Sequence, residues 1–198
     1  MRLWLIILWL AWCTAHSLLI CRAAYEWLER KGGAWHALHR IGYVCFAVAS
    51  LLPLLWLTEV APHRPLTLPT WLVPVQVAAG LYAVVMFVGG LRAYDLKSFL
   101  GLRQWYDYRQ GQAAPAPFLQ QTGILQVVRH PWYSGGIALL WSLPELTDVS
   151  LLVRILLTFY LVVGTWLEER KLHRIFGSRY RSYCQEVPML IPWKLFRQ

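Results

Sequence analysis

The sequence lacks the short motifs that mark the commonest nucleotide-dependent and metal-dependent enzymes. It contains no P-loop, no G-x-G-x-x-G after a strand, no H-E-x-x-H and no nucleophile elbow. Soluble Rossmann enzymes are therefore excluded. Charge is also scarce, since Asp, Glu, Lys and Arg together make up 15% of the 198 residues.

Cysteine is rare, and its spacing is not that of a bridge or a metal site. The chain has four cysteines, Cys13, Cys21, Cys45 and Cys184. They form no C-x-x-C pair, and three of them lie in apolar segments. We therefore predict free thiols that behave as small core residues, and no metal site.

What the chain has instead is long apolar runs. Hydrophobic residues make up 58% of it, and the mean hydropathy is +0.42; soluble domains average about 45–50% apolar. Five spans are predicted, at 3–20, 41–57, 71–91, 133–146 and 150–167. The first is interpreted as a retained helix rather than a cleaved signal peptide. The fourth is short for a helix that must cross about 30 Å, and we expect it to form a tight hairpin with the fifth.

The distribution of charge orients these spans. The net charge is +9, and every basic residue except Arg2, Arg64 and Arg154 falls on one side of the predicted topology. The positive-inside rule then predicts an outside N-terminus and a cytoplasmic C-terminus, in a bacterial inner membrane, with the anionic leaflet rather than nucleic acid as the partner. We predict a single all-α membrane domain, with three spans in 1–91, a cytoplasmic loop at 92–131, and the hairpin and tail in 132–198.

The stretch "RHPWYSGG", residues 129–136, opens the fourth span. An interfacial reading explains much of it, because arginine snorkels, proline starts a helix, and tryptophan and tyrosine favour the membrane surface. That reading leaves His130 and the glycines Gly135 and Gly136 without a purpose. A ligand site, where glycine lets a ligand lie close to the backbone, is an equally good interpretation.

Two acidic residues follow the fifth span directly. Glu168 and Glu169 could be surface charges at a helix end, but ionisable groups at membrane depth are candidates for function. A carboxylate here could hold a cationic ligand. Because adjacent helical positions diverge by about 100°, we expect one of the two to dominate.

Two further polar residues have both a structural and a functional interpretation. Asp95 lies just beyond the third span among aromatic residues, where an interfacial turn is a slightly better explanation than a site. His16 lies inside the first span. It could bond a neighbouring helix as a neutral ring, or it could face a substrate.

The combination of "RHPWYSGG", "EER", "FGSRYRSY" and "VPMLIP" resembles the integral-membrane methyltransferases, which include isoprenylcysteine carboxyl methyltransferases and phospholipid N-methyltransferases. The upstream "HSLL" and "YDLKSFLGLRQ" are similar to the bacterial branch that contains methanethiol S-methyltransferases and denitrification-associated membrane proteins. The resemblance implies a cytoplasmic pocket for S-adenosylmethionine, closed by the C-terminal segment.

The resemblance also implies roles for individual residues. The positions that match the cofactor-binding motifs are His130, Pro131, Tyr133, Gly135, Glu168, Glu169, Tyr180, Tyr183 and Pro188. Arg129 matches the arginine near the methyl acceptor, where a cation would favour a thiolate. Glu169 is the expected catalytic carboxylate beside it, and His16 and Asp95 are expected to line a small acceptor cavity.

Three functions follow from this interpretation. The first is methyl transfer from S-adenosylmethionine to a small thiol or other small sulfur compound. The second is methylation of a lipid-like acceptor, either an isoprenylcysteine carboxylate or a phospholipid amine. The third is a non-catalytic scaffold or transporter subunit in nitrogen-oxide metabolism, which would bind no cofactor.

Overall fold

The part of the chain that the structure describes folds mainly into helices. A computed structural model describes residues 3–31, 34–112 and 116–196, and its β-structure within them is one isolated bridge between Pro65 and Thr147. The predicted all-α membrane fold is confirmed. The α-helices are α1 (Leu3–Ile20), α2 (Arg22–Lys31), α3 (Trp35–Val60), α4 (Val73–Ala93), α5 (Leu96–Leu100), α6 (Leu102–Arg109), α7 (Pro131–Ser142) and α8 (Asp148–Glu186).

Four of the described helices are long and apolar enough to cross a bilayer. These are Leu3–Ile20, Trp35–Val60, Thr70–Ala93, which includes a 3₁₀ turn before α4, and Asp148–Glu186. They make the chain an integral membrane protein. Helix α7 has 12 residues, which corresponds to about 18 Å, so the count of five spans stays a prediction. Residues 92–131, expected to be a loop, contain α5 and α6, and their positions 113–115 lie outside the described residues.

The chain divides into two compact units, of which the first is Met1–Pro62 with Asp95–Ala116. In this unit α1 lies antiparallel to α3, and polar side chains join them at three levels. The pairs are Trp9 Nε1 to Thr58 Oγ1 at 3.0 Å, Trp12 Nε1 to Ser50 Oγ at 2.9 Å, and Tyr43 Oη with His16 Nε2 at 2.6 Å. The α1 members recur at helical spacing and therefore share one face.

The second unit is His63–Tyr94 with Pro117–Gln198, and it contains α4, α7 and α8. Helix α7 lies antiparallel along α4, at a distance that small residues allow. A β-carbon on Gly135 would be 3.0 Å from Met86 Cβ and 3.3 Å from the carbonyl oxygen of Ala83. Close backbone approach of this kind replaces the hydrophobic drive that is missing between helices in lipid.

A buried arginine holds the turn between α7 and α8. Arg154 is 5% exposed and donates to the carbonyl oxygens of Leu143, at 3.1 Å, and Glu145. These carbonyls follow the last turn of α7, and the Leu143 carbonyl also accepts from Gln76 Nε2 at 3.1 Å. The turn ends at Thr147, whose side chain caps α8 by accepting from the Ser150 amide at 3.0 Å.

Helix α8 reverses direction at Gly177. This residue has φ 55° and ψ −123°, a backbone conformation that only glycine adopts easily. In a straight helix, residues 11 apart are separated by about 16 Å along the axis. Here the Tyr180 hydroxyl lies 2.5 Å from the Glu169 carboxylate. The residues after Gly177 therefore fold back against the residues before it.

Candidate functional site

The start of α7 is fastened to the C-terminal segment by backbone hydrogen bonds. The amide of Arg129 donates to the carbonyl of Pro188 at 2.9 Å, and the amide of His130 donates to the carbonyl of Met189 at 3.2 Å. The Ser134 hydroxyl continues this contact by donating to the Leu190 carbonyl at 2.6 Å. Pro131 is the first residue of α7, which confirms the predicted helix start.

The carboxylate of Glu169 is the centre of a buried polar network. It accepts two hydrogen bonds from Arg129, from Nε at 3.0 Å and from Nη2 at 2.7 Å. His130 Nε2 lies 2.6 Å from Oε1, and the Tyr180 hydroxyl donates to the same oxygen at 2.5 Å. Glu169 is 8% exposed. A carboxylate with a guanidinium and two further donors is ionised and needs no external cation.

Arg129 is held on all sides by the protein. Its Nη1 donates to the carbonyl oxygens of Cys184, at 3.3 Å, and Val187, at 2.5 Å, in addition to the two bonds to Glu169. Burial alone would lower the pKa of the guanidinium, but the hydrogen bonds and charge of Glu169 outweigh burial and raise this pKa above its usual value. Arg129 therefore stays charged at any working pH, with its donors directed at the C-terminal segment.

The hydrogen bond to Glu169 also determines which nitrogen of His130 carries a proton. An ionised carboxylate only accepts hydrogen bonds, so Nε2 of His130 must be the donor. The other nitrogen, Nδ1, lies 3.9 Å from Glu168 Oε2. His130 is 3% exposed, so the ring is fixed in this orientation between the two acids.

Glu168 differs sharply from its neighbour. Its side chain is 42% exposed, and its Oε2 lies 3.9 Å from Nδ1 of His130. Its charge reaches Tyr94 at the end of α4, where burial first, then Glu168 and Tyr183, raise the pKa of the phenol far above its usual range. Of the two acids, Glu168 is the one with an open carboxylate, and Glu169 is the internal one.

The remaining residues of the predicted cofactor motif have contacts inside the second unit. Gly135 faces α4, and the ring of Tyr133 lies 5.8 Å from the ring of His130, over Gly164 of α8. Tyr183 is buried and donates to the carbonyl of Leu125, within the apolar cluster around Tyr180. The structure thus brings every predicted cofactor residue into one unit.

Asp95 and His16, predicted to line the acceptor cavity, both belong to the first unit. Asp95 caps α5 and accepts from the Lys97 amide at 3.0 Å and from Arg103 Nη1 at 3.0 Å. Its hydrogen bonds to Ser98, followed by that from Arg103, lower its pKa from 3.8 to about 2. His16 pairs with Tyr43 and lies 4.9 Å, ring to ring, from Trp12. Both side chains therefore have structural partners.

Two aromatic residues beside this site were not predicted. Trp132 lies with its ring 4.9 Å from that of Tyr94, and its Nε1 occupies the space where a β-carbon of Gly90 would lie, 2.1 Å away. The glycine pair "GG" at 89–90, at the end of an apolar span, was the available signal, because paired glycines there indicate close approach of a bulky group.

One group of potential metal ligands lies next to the network. The ligand atoms of Glu169, His173 and Cys184 are within 4.8 Å of one another. Both oxygens of Glu169 already accept from Arg129, whose positive charge opposes a second cation. This arrangement gives a metal ion a poor site.

Comparison with known proteins gives several similar proteins. The chain is 36% identical over 163 residues to methanethiol S-methyltransferase 1 of Bradyrhizobium diazoefficiens, covering 79% of this chain and 55% of that protein. It is 32% identical over 165 residues to a methanethiol S-methyltransferase of Mycobacterium tuberculosis, covering 79% and 65%. It is 27% identical over 181 residues to nurim of Bos taurus, covering 84% and 66%.

Over about four fifths of its length the chain is similar to proteins named methanethiol S-methyltransferase. No family model and no solved structure matches it. The chain spans between 55% and 67% of the length of the methanethiol S-methyltransferases that it resembles.

Proposed function

We propose that the chain is a membrane-embedded methyltransferase that transfers a methyl group from S-adenosylmethionine to a small thiol. The observation that carries this proposal is its 36% identity to a protein named methanethiol S-methyltransferase. The division of labour between the two acids supports it. Glu169 completes an internal network, and Glu168 presents an open carboxylate beside a fixed histidine.

The residues present fit the chemistry of this cofactor. Its amino acid end carries an ammonium, for which the open carboxylate of Glu168 is a suitable partner. Tyr94 and Trp132 offer aromatic faces, which favour both an adenine ring and a sulfonium. When bound, the cofactor supplies an electrophilic methyl group. The protein then has to align the acceptor with it and exclude water.

We propose that His130 accepts the proton that the thiol acceptor loses. Its Nε2–H is directed at Glu169, so in the neutral ring Nδ1 carries the lone pair, on the side of Glu168. A thiol must lose its proton before it becomes a good nucleophile. In this arrangement Glu169 is a positioning residue that fixes the tautomer, and Arg129 holds Glu169 and the C-terminal segment.

The first experiment is calorimetric binding of S-adenosylhomocysteine to the purified protein in detergent. Wild-type protein is expected to bind with one site per chain. Glu168→Gln should weaken binding about tenfold or more, because it removes a charge-assisted hydrogen bond. Glu186→Gln, which removes an exposed charge at the end of α8, is the matched control. No binding by folded wild-type protein, with and without added lipid, would favour a non-catalytic scaffold.

The acceptor is tested separately once binding is established. Methyl transfer to methanethiol is compared with transfer to an isoprenylcysteine analogue and to phosphatidylethanolamine. Turnover of the small thiol with little turnover of the other two supports the proposal. The reverse order would assign the protein to a lipid-like acceptor.

We also propose a bacterial inner-membrane location, with the N-terminus outside and the C-terminus in the cytoplasm. The proposal rests on the concentration of Lys and Arg in the segments 22–40, 92–129 and 170–197. Reporter fusions to the two termini test it. A C-terminal fusion active only in the periplasm would overturn the orientation.

A further inference from the structure

Three short helices of the first unit gather around one end of a membrane span. The N-terminal turns of α3 are contacted by all three of them. Arg40 Nε donates to the Phe99 carbonyl in α5 at 2.8 Å, and the ring of His36 lies 5.4 Å from the ring of Tyr108 in α6. The ring of His39 lies 6.2 Å from that of Tyr25 in α2.

The glycine between α5 and α6 makes this arrangement tight. Gly101 has φ 87°, and a β-carbon on it would lie 2.8 Å from Arg40 Cβ and from the Ile41 amide nitrogen. The elbow formed by α5 and α6 is therefore seated directly on the backbone of α3. Its level along α3 is fixed by this contact.

That level is the surface of the bilayer. Helix α3 has 26 residues, which corresponds to about 39 Å, against about 30 Å of hydrocarbon. Its apolar run begins after Arg40. The turns that contact α2, α5 and α6 consequently lie where the headgroups begin, and the three short helices lie there with them. We call the three short helices, together with residues 35–40 at the start of α3, the collar.

The collar exposes aromatic and basic side chains together. Its exposed aromatic residues are Tyr25, Trp27, Trp35, Phe99, Tyr106 and Tyr108. Its basic residues with described side chains are Arg30, Lys31, Arg40, Lys97, Arg103 and Arg109. They outnumber the described acidic ones, Glu26, Asp95 and Asp107. Lys31 lies 5.4 Å from the ring of Trp27, and Arg109 lies 5.9 Å from that of Trp105, so cations and rings form joint surfaces.

We propose that the collar binds anionic phospholipid in the headgroup layer of its own membrane. Tryptophan and tyrosine favour this layer, and each nearby Lys or Arg attracts anionic lipid. Three of the cations, Arg30, Arg40 and Arg103, already have partners in the Glu26 carbonyl, Phe99 and Asp95. Lys31, Lys97 and Arg109 therefore carry most of the attraction. This binding is independent of methyl transfer.

The test measures lipid selectivity directly. Full-length protein is reconstituted with spin-labelled phosphatidylglycerol or phosphatidylcholine, and the motionally restricted lipid fraction is compared. Phosphatidylglycerol is expected to be preferred several-fold at low salt. The triple variant Lys31→Gln, Lys97→Gln, Arg109→Gln should lose most of this preference, since each cation near the surface contributes up to about fivefold.

Two controls keep the result interpretable. Arg64→Gln removes one exposed charge outside the collar and should leave the selectivity unchanged. Raising the salt concentration should reduce the preference in unmutated protein, because the Debye length shrinks. Equal restriction of both lipids by wild-type protein at low salt would overturn the proposal. So would a preference that survives in the folded triple variant.

Discussion

Arg129 and Glu169 face each other through two hydrogen bonds, of 3.0 and 2.7 Å, with side chains that are only 9% and 11% exposed. A bidentate pair at this depth is strong only while both members are present, because each alone would be a buried charge. The pair therefore connects the start of α7 to the middle of α8. Arg129 also contacts the end of α8, at the carbonyls of Cys184 and Val187.

Glu169→Leu is expected to lower the free energy of unfolding by about 3–5 kcal/mol, since Arg129 is left without its anion. The double variant Arg129→Met, Glu169→Leu should recover part of this loss. Recovery will be incomplete, because Arg129 also serves the carbonyls of Cys184 and Val187. Denaturant unfolding in detergent measures both variants and the single variant Arg129→Met. Strictly additive effects would show that the pair is not coupled.

Gly177→Ala is expected to destabilise the protein by about 1–2 kcal/mol, because a β-carbon disfavours its positive φ. Nothing lies within 4 Å of the position where that β-carbon would be, so the cost is one of backbone conformation alone. Gly42→Ala in α3 is the matched control, with equally open space but helical backbone. Thermal unfolding should separate the two, and an equal response would remove the backbone explanation.

Gly90→Ala should displace the Trp132 ring, since the new β-carbon would lie 2.1 Å from Nε1. We expect overpacking to lower the free energy of unfolding by about 1–3 kcal/mol. Because Trp132 and Tyr94 are proposed to contact the cofactor, we also expect weaker binding of S-adenosylhomocysteine. Gly136→Ala, whose β-carbon would meet Leu161 at an ordinary 3.4 Å, is the control. The larger effect should shrink when Trp132 is shortened to Leu in the same chain.

Tyr43→Phe removes the hydroxyl that meets His16 inside the α1–α3 pair. Hydrogen bonds between helices in membranes contribute about 0.6 kcal/mol on average and up to about 1.7 kcal/mol. We therefore expect the free energy of unfolding to fall by an amount in that range. Thr58→Val, which removes the acceptor of Trp9, should behave alike. Unfolding in detergent is the measurement. An unchanged midpoint in both variants would mean that these hydrogen bonds between α1 and α3 contribute no stability.

Asp95 gives a prediction for acidic pH. Its pKa is about 2 in the folded chain against an ordinary 3.8, so the stabilisation it provides is present above about pH 4 and is lost as the pH falls through 2. Exchange protection of the Lys97 and Ser98 amides, which donate to Asp95, should fall over that interval. Asp95→Asn should abolish the transition, whereas Asp107→Asn should preserve it.

The apolar spans and the start of α7 could be predicted from the sequence, because apolar composition and a helix-starting proline indicate them. The predicted span 3–20 coincides with α1, and Pro131 begins α7 as expected. The second predicted span, 41–57, lies in α3, which begins earlier, at Trp35. Residues 35–40 extend this helix beyond the apolar run, and α2, α5 and α6 pack against α3. The signal for α5 was present in Asp95 and Ser98, a capping pair.

The different exposures of Glu168 and Glu169 could not be read from the sequence. Both are glutamates at adjacent positions. Their environments differ because Arg129 and Tyr180 form hydrogen bonds with Glu169. Tyr180 reaches Glu169 only because the chain reverses at Gly177. A single glycine in a helical pattern is usually tolerated without a bend, so the reversal had no distinctive local signal.

The reversal at Gly177 has a consequence for the order in which the site can form. Tyr180 is 11 residues from Glu169, whereas Arg129 is 40 residues from it. Closing the shorter loop costs less chain entropy, so the carboxylate meets its tyrosine before it meets its arginine. During synthesis, however, Arg129 emerges first and has no anion until α8 has been made. A cell that inserts this chain must therefore shelter a lone guanidinium at the membrane surface, and the headgroup phosphates are the nearest counterions for that interval.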